Sequence, residues 1–91
     1  MVRLSEEEMY LVNRVFSLFS VAHEDLRESE QSVNGLIKAS YVLGRIGELL
    51  DGQPGRVMQR VIEEWNEAVV LFNAQARRHG ATFKLHALRL T

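Results

Sequence analysis

An all-α fold is predicted by three observations on this 91-residue chain. Apolar residues recur at intervals of three and four along most of its length, which is the spacing of one face of an α-helix. No segment alternates between apolar and polar residues for long enough to indicate a β-strand. One dense turn signal, residues 51–55, divides the chain. The pattern predicts a single helical domain, built as an antiparallel helical hairpin or a three-helix bundle and completed by dimerisation.

The chain before this turn, residues 5–50, is predicted to form one or two amphipathic helical arms. Ser5 and Glu8 have the Ser-x-x-Glu spacing of a capping box, which marks a helix start. Helical spacing then connects Leu11, Val15, Leu18, Ala22 and Leu26, with a parallel row at Val12, Phe16 and Phe19. The same stripe continues in phase through Val33, Leu36, Leu43 and Leu50. This continuity favours one long helix.

The polar stretch at residues 29–35 favours two shorter helices instead. Ser32 is a candidate cap there, and Gly35 follows it. A glycine inside a helix costs about 1 kcal/mol relative to alanine, unless another helix needs a close approach. We expect a kinked long helix, with two helices as the alternative.

The turn itself, Asp51-Gly52-Gln53-Pro54-Gly55, should be the main reversal of the chain. Gly52 suits the left-handed conformation that ends a helix, and Pro54 suits the start of the next one. A helix is predicted for residues 56–79. Its apolar stripe contains Met58, Val61, Trp65, Ala68, Phe72 and His79, flanked by Val57, Ile62 and Val69. Gly80 interrupts the stripe, and residues 80–91 are expected to form a short helix or an ordered tail.

Charge is distributed unevenly, although the formal net charge is only −1. Acidic residues crowd the beginning of the chain, and no acidic residue follows Glu67, after which come Arg77, Arg78, Lys84 and Arg89. A hairpin would place this basic end beside the acidic start. With no net basic charge, we do not expect nucleic acid as a partner.

Residues for catalysis, cofactor binding or metal binding do not form a recognisable pattern. There is no cysteine, so thiol chemistry and cysteine-ligated zinc are excluded. His23-Glu24-Asp25 lacks the second histidine of His-Glu-x-x-His, and Gly44-Arg45-Ile46-Gly47 lacks the spacing of a phosphate loop. We predict no catalytic residue, no cofactor and no metal, and therefore a protein that is not an enzyme.

The start of the chain does not resemble a cleaved secretion signal, because Glu6, Glu7 and Glu8 interrupt it. No apolar run approaches the roughly 20 residues that span a bilayer. We expect no membrane span and a cytoplasmic protein, with export independent of a signal peptide left open.

The width of the apolar stripes predicts contact with another protein chain. Two helices cannot enclose stripes this wide, so a third helix of the same chain or a partner must cover them. We expect a homodimer or heterodimer, with these candidate partner-binding residues: Leu11, Val15, Phe16, Leu18, Phe19, Leu43, Leu50, Trp65, Val69, Phe72 and Phe83. A small phage or bacterial inhibitor that docks on a protein or nucleic-acid complex is the alternative.

The middle third of the chain resembles the early-secreted-antigen-like helical hairpins of type VII secretion. That family carries Trp-x-Gly at its turn, where this chain has Leu50-Asp51-Gly52, and some members have an aromatic residue in the second helix, as Trp65 is here. The chain departs from the family at the hallmark tryptophan and at the export pattern Tyr-x-x-x-Asp/Glu, since Phe83 is followed four residues later by Ala87. The resemblance implies a divergent subunit or partner of a secretion system.

Overall fold

A computed structural model describes residues 3–89, and within that range the chain forms three helices and no strand. They are α1, Glu6–Glu28; α2, Val33–Leu50; and α3, Gly55–Arg78. The bundle measures 41 × 24 × 18 Å. The all-α prediction is confirmed, in its three-helix form. None of the helices within residues 3–89 combines the length and apolar character needed to cross a membrane.

The first helix begins at the predicted capping box. The Ser5 hydroxyl accepts from the Glu8 N–H at 3.1 Å, and the Glu8 carboxylate accepts from the Ser5 N–H at 2.9 Å. Two N–H groups that the helix itself leaves unpaired are thereby satisfied.

The expectation of one kinked helix over residues 5–50 is wrong, because the chain turns between Glu28 and Val33. Ser32 has extended backbone angles and caps α2, accepting from the Asn34 N–H at 3.2 Å. Ser29 is fully buried in the turn, where its hydroxyl donates to the Leu26 carbonyl. The polar residues of this stretch therefore form hydrogen bonds of the turn. The periodic apolar pattern continues from α1 into α2 although the chain reverses direction between them.

Gly35 explains how α2 packs so closely against the end of α1. A Cβ at this position would lie 2.3 Å from the Ser29 nitrogen, 2.6 Å from the Asp25 carbonyl oxygen and 2.7 Å from the Glu28 carbonyl carbon. Only glycine leaves room for this approach, so Gly35 is helical and packed at the same time.

The reversal at residues 51–55 lies where the sequence places it. Gly52 has a φ of 75°, in the left-handed region, and ends α2. Pro54 is the extended residue that precedes the first turn of α3.

The helices α1 and α3 run parallel to each other, and α2, which connects them, runs antiparallel to both. Arg56 at the start of α3 pairs with Glu8 at the start of α1, at 2.8 Å. At the other end, His79 Nε2 lies 2.7 Å from the Ser29 carbonyl oxygen, which can only accept, so this contact requires a proton on Nε2. The basic end of α3 therefore lies beside the end of α1. The expectation that it would lie beside the acidic start is wrong, because the turn at 29–32 adds a second reversal.

The core is formed by one apolar face from each helix. Its buried members are Val12, Val15, Phe19, Ala22, Leu26, Leu36, Ala39, Leu43, Ile46, Leu50, Val57, Val61, Trp65, Ala68, Val69, Phe72 and Ala76. Their spacing of three and four within each helix is the spacing found in the sequence.

The chain leaves α3 through a Schellman turn and then runs extended. Gly80 has a φ of 71°, its N–H donates to the Arg77 carbonyl, and the Ala81 N–H donates to the Ala76 carbonyl at 2.8 Å. Residues 81–89, called the strap below, contain no helix and lie back along α3. Of the two forms expected for residues 80–91, the ordered tail is the one observed, and Leu90 and Thr91 fall outside the described residues.

Candidate protein-binding surfaces

Most of the candidate partner-binding residues lie inside the chain's own bundle. Val15, Phe19, Leu43, Leu50, Trp65, Val69 and Phe72 are buried. Leu11 and Leu18 are half-buried at the edge of the core. The third helix, which the sequence offered as one of two ways to cover the wide stripes, covers most of them.

Two of the candidates remain exposed, each supported by a buried aromatic neighbour. Phe16 is 37% exposed and meets Phe19 edge-to-face at 6.2 Å between ring centroids. Phe83 is 58% exposed and meets Phe72 edge-to-face at 5.9 Å. Both rings are held in place while one side faces solvent.

A second apolar row on α2 faces solvent, opposite the row that enters the core. Its members Val33, Ile37 and Tyr41 are four residues apart and are 48%, 48% and 77% exposed. We call these three residues the α2 stripe. Only Val33 was noticed in the sequence, where it was assigned to the buried row. The signal for the other two is the i, i+4, i+8 spacing itself.

The edges of the α2 stripe are polar or open. Lys38 donates to the Glu28 carboxylate at 3.0 Å, and this contact raises the pKa of Lys38 above its ordinary value. Beyond Tyr41, a shallow cavity of about 370 Å³ is lined by Ser40, Tyr41, Gly44, Arg45 and Glu48. No described atom lies within 4 Å of a Cβ built on Gly44, so another chain can approach the helix closely there.

Three side chains of α3 hold the strap by its backbone. The Asn73 amide donates to the Leu85 carbonyl at 3.0 Å and accepts from the Leu85 N–H at 2.9 Å. The Asn66 amide makes the same pair of bonds with Leu88, at 3.1 and 2.8 Å. Between them, the Trp65 indole N–H donates to the His86 carbonyl at 3.0 Å.

The distance between the two asparagines on α3 matches the distance between the two leucines of the strap. Seven residues of α-helix separate the asparagines by about 10.5 Å, and three residues of extended chain separate the two leucines by about 10 Å. The strap therefore runs antiparallel to α3, and each asparagine pairs with both main-chain groups of one strap residue. Both asparagines were missed in the sequence. Their seven-residue spacing on one flank of an apolar stripe is the signal that could have found them.

A small apolar pocket continues from the end of the strap. It has a volume of about 280 Å³ and is lined by Gly47, Leu50, Asp51, Gly52, Gln53, Met58, Trp65 and Leu88. The ring of Trp65 packs over Gly47, since a Cβ there would lie 3.6 Å from its Cη2 atom. The pocket thus joins the main turn to the strap.

The cleft between α1 and α3 is polar and has a volume of about 390 Å³. His23 Nε2 lies 3.7 Å from Glu64 across it, and Gln75 Oε1 is buried with no hydrogen-bond partner among the described residues. Within residues 3–89, no group of three or more histidine and carboxylate side chains is placed to hold a metal ion.

An arginine fork fastens the starts of α1 and α3 to each other. Arg56 Nε donates to Glu8 Oε1 at 3.1 Å, and Arg56 Nη2 lies 2.8 Å from Glu8 Oε2. The hydrogen bond from Arg56, with help from the Ser5 backbone, holds the pKa of Glu8 below its ordinary value. The same carboxylate thus serves the helix cap and the helix-to-helix contact.

The described residues define a class of protein, a three-helix bundle closed by a C-terminal strap. No family model, curated protein or solved structure matches the chain.

Proposed function

We propose that this chain is a non-enzymatic protein–protein interaction module that associates through the α2 stripe. The observation that carries the proposal is the exposure of Val33, Ile37 and Tyr41 in one row on a helix whose opposite face is already committed to the core. Rows of exposed apolar side chains with a polar rim are typical of interaction surfaces. Tyrosine is one of the residue types enriched among those that contribute most to binding energy.

The partner we propose is a second copy of the chain. The stripe has equal four-residue steps on either side of Ile37, so an antiparallel copy related by a two-fold axis sets Val33 of each chain against Tyr41 of the other. Ile37 then meets its own counterpart on the axis. An interface of this kind is self-complementary, as two-fold dimers require.

The likeness of Leu50-Asp51-Gly52 to the Trp-x-Gly turn supports a narrower version, in which the dimer serves a secretion machine. In the bundle, Leu50 is buried and Gly52 has a left-handed backbone conformation. The third helix distinguishes this chain from a simple hairpin.

Sedimentation velocity across a dilution series tests the proposal. We expect concentration-dependent association of the wild-type chain. Ile37→Glu should weaken it at least about tenfold, because a charge at the two-fold axis would face its own copy. The matched control is Val70→Glu, since Val70 is 69% exposed on α3 and outside the stripe. A wild-type chain that stays monomeric at all concentrations, or equal effects of the two substitutions, would contradict the proposal.

A further inference from the structure

The groove that holds the strap makes its hydrogen bonds to the backbone of the strap. All five hydrogen bonds from Asn66, Asn73 and Trp65 reach main-chain N–H and C=O groups of the strap. An extended segment presents these groups whatever its side chains, unless proline occupies one of the two positions whose N–H is bound.

Side chains of the strap add a simple apolar pattern. Leu85 and Leu88 are half-buried against the core, and Phe83 lies on Phe72. The residues between them, Lys84, His86 and Ala87, are exposed. An occupant therefore needs apolar residues in the order apolar-x-apolar-x-x-apolar, and the intervening positions are free.

The strap is joined to the bundle in a way that allows it to leave. It follows a single left-handed residue, Gly80, and residues 81–84 are all exposed. Segments with few buried contacts are the first to open locally. Opening removes the hydrogen-bond partners of the Asn66 and Asn73 amides and of the Trp65 indole. The empty groove can therefore form the same hydrogen bonds with another extended backbone.

We propose that this groove binds, in trans, an extended segment of a different protein with the pattern apolar-x-apolar-x-x-apolar, and that the strap is its intramolecular competitor. A second copy's strap is a poorer occupant, because an identical segment attached to its own bundle has the higher effective concentration. Only a segment with better side-chain complementarity displaces it. The groove is separate from the α2 stripe, so this inference stands independently of the proposed self-association.

The test uses the full chain with Leu85→Pro and Leu88→Pro. These changes remove the two N–H groups that donate to Asn73 and Asn66, and they leave every groove side chain in place. The probe is a fluorescein-labelled peptide of residues 81–91, followed by fluorescence anisotropy. We expect it to bind this released-strap variant at least about tenfold more tightly than the wild-type chain, whose groove is occupied.

Matched peptides test whether the backbone is what is recognised. N-methylation at Leu85 and Leu88 should abolish binding, and N-methylation at Lys84 and Ala87, whose N–H groups neither asparagine contacts, should leave most of it. A peptide with Lys84, His86 and Ala87 all changed to serine should bind within about threefold of the original. Adding Asn66→Ala and Asn73→Ala to the released-strap variant should abolish binding of every peptide.

Three results would overturn the proposal. The first is that the released-strap variant keeps its helical content but binds no peptide. The second is that N-methylation at Lys84 and Ala87 weakens binding as much as N-methylation at Leu85 and Leu88. The third is a wild-type dimer that the peptide dissociates, since this would make a second copy's strap the occupant. If the proline variant does not fold, Leu85→Ser with Leu88→Ser takes its place. This variant keeps every groove side chain, loses the packing of the two leucines against the core, and should bind the peptide more tightly than wild type. No gain would likewise overturn the proposal.

Discussion

The side-chain amide of Asn73 pairs with both main-chain groups of Leu85, at 3.0 and 2.9 Å, as a neighbouring β-strand would. Asn66 repeats the arrangement at Leu88. The surface of α3 thus holds an extended segment through both main-chain groups of two of its residues.

Asn73→Ala should free the strap and leave the bundle folded. Two hydrogen bonds of about 0.5–1.5 kcal/mol each are lost, so the Leu85 amide should exchange with solvent roughly 5–150 times faster. Hydrogen exchange followed by NMR measures this. Asn13→Ala is the control, because Asn13 is exposed on α1. An unchanged Leu85 exchange rate would show that the asparagine does not hold the strap.

Gly35→Ala and Gly44→Ala should change stability in opposite directions. The Cβ at Gly35 would overlap the backbone of residues 25–29, and overpacking of this kind costs about 1–3 kcal/mol. The Cβ at Gly44 meets no described atom, so helix propensity alone should stabilise by up to about 1 kcal/mol. Urea unfolding monitored by circular dichroism gives both values. Stabilisation by Gly35→Ala would contradict the close contact between α1 and α2.

Substitutions of Trp65 should separate its two roles. Trp65→Ala removes a buried ring and should destabilise by about 3–5 kcal/mol. Trp65→Phe keeps an aromatic ring in the core, and its added effect should be faster exchange in the strap, because the bond to the His86 carbonyl is lost. Thermal melting reports the first effect and hydrogen exchange the second. A wild-type melt for Trp65→Ala would show that the ring is not part of the core.

Acid should weaken the contact between Glu8 and Arg56. The folded-state pKa of Glu8 is lowered, so its contribution is present above the ordinary carboxyl pKa and is lost as pH falls through the lowered value. Glu8→Gln preserves the capping box and removes the charge. We expect the melting temperature of this variant to fall less than that of wild type between about pH 6 and pH 3. Glu7→Gln, one residue earlier and exposed, should follow wild type, and identical acid profiles for all three would contradict the assignment.

Local chemistry let several elements be predicted from the sequence. The capping box at Ser5, the left-handed turn at Gly52 and the apolar spacing of each helix depend on residues within a few positions of one another. Such signals act before any tertiary contact exists, so they survive in the sequence. They were enough for the all-α class, the main turn and the faces that form the core.

The tertiary structure alone decided whether residues 5–50 form one helix or two. The apolar phase is continuous through the turn, because the residues of α1 and α2 enter the same core from opposite directions. Ser32 and Gly35 indicated a turn in the sequence. Whether the turn forms depends on the contact between Gly35 and the backbone of residues 25–29. By helix propensity alone, a glycine at this position lowers the stability of α2. The close packing of α2 against α1 nevertheless requires glycine there.

Tertiary contacts also decided the surfaces. The candidate residues of the sequence were mostly the most apolar ones, and a third helix buried them. The strap was invisible for a related reason. Asn66 and Asn73 have ordinary polar side chains for the edge of a helix. Their role arises from a match between helical rise and extended rise, in contacts that span 22 and 12 residues of the chain. The all-α class, the main turn and most of the inward apolar faces could be predicted from the sequence, because these follow from local hydrogen bonding and the burial of apolar side chains. Long-range contacts determined which apolar residues stay outside and what holds the end of the chain.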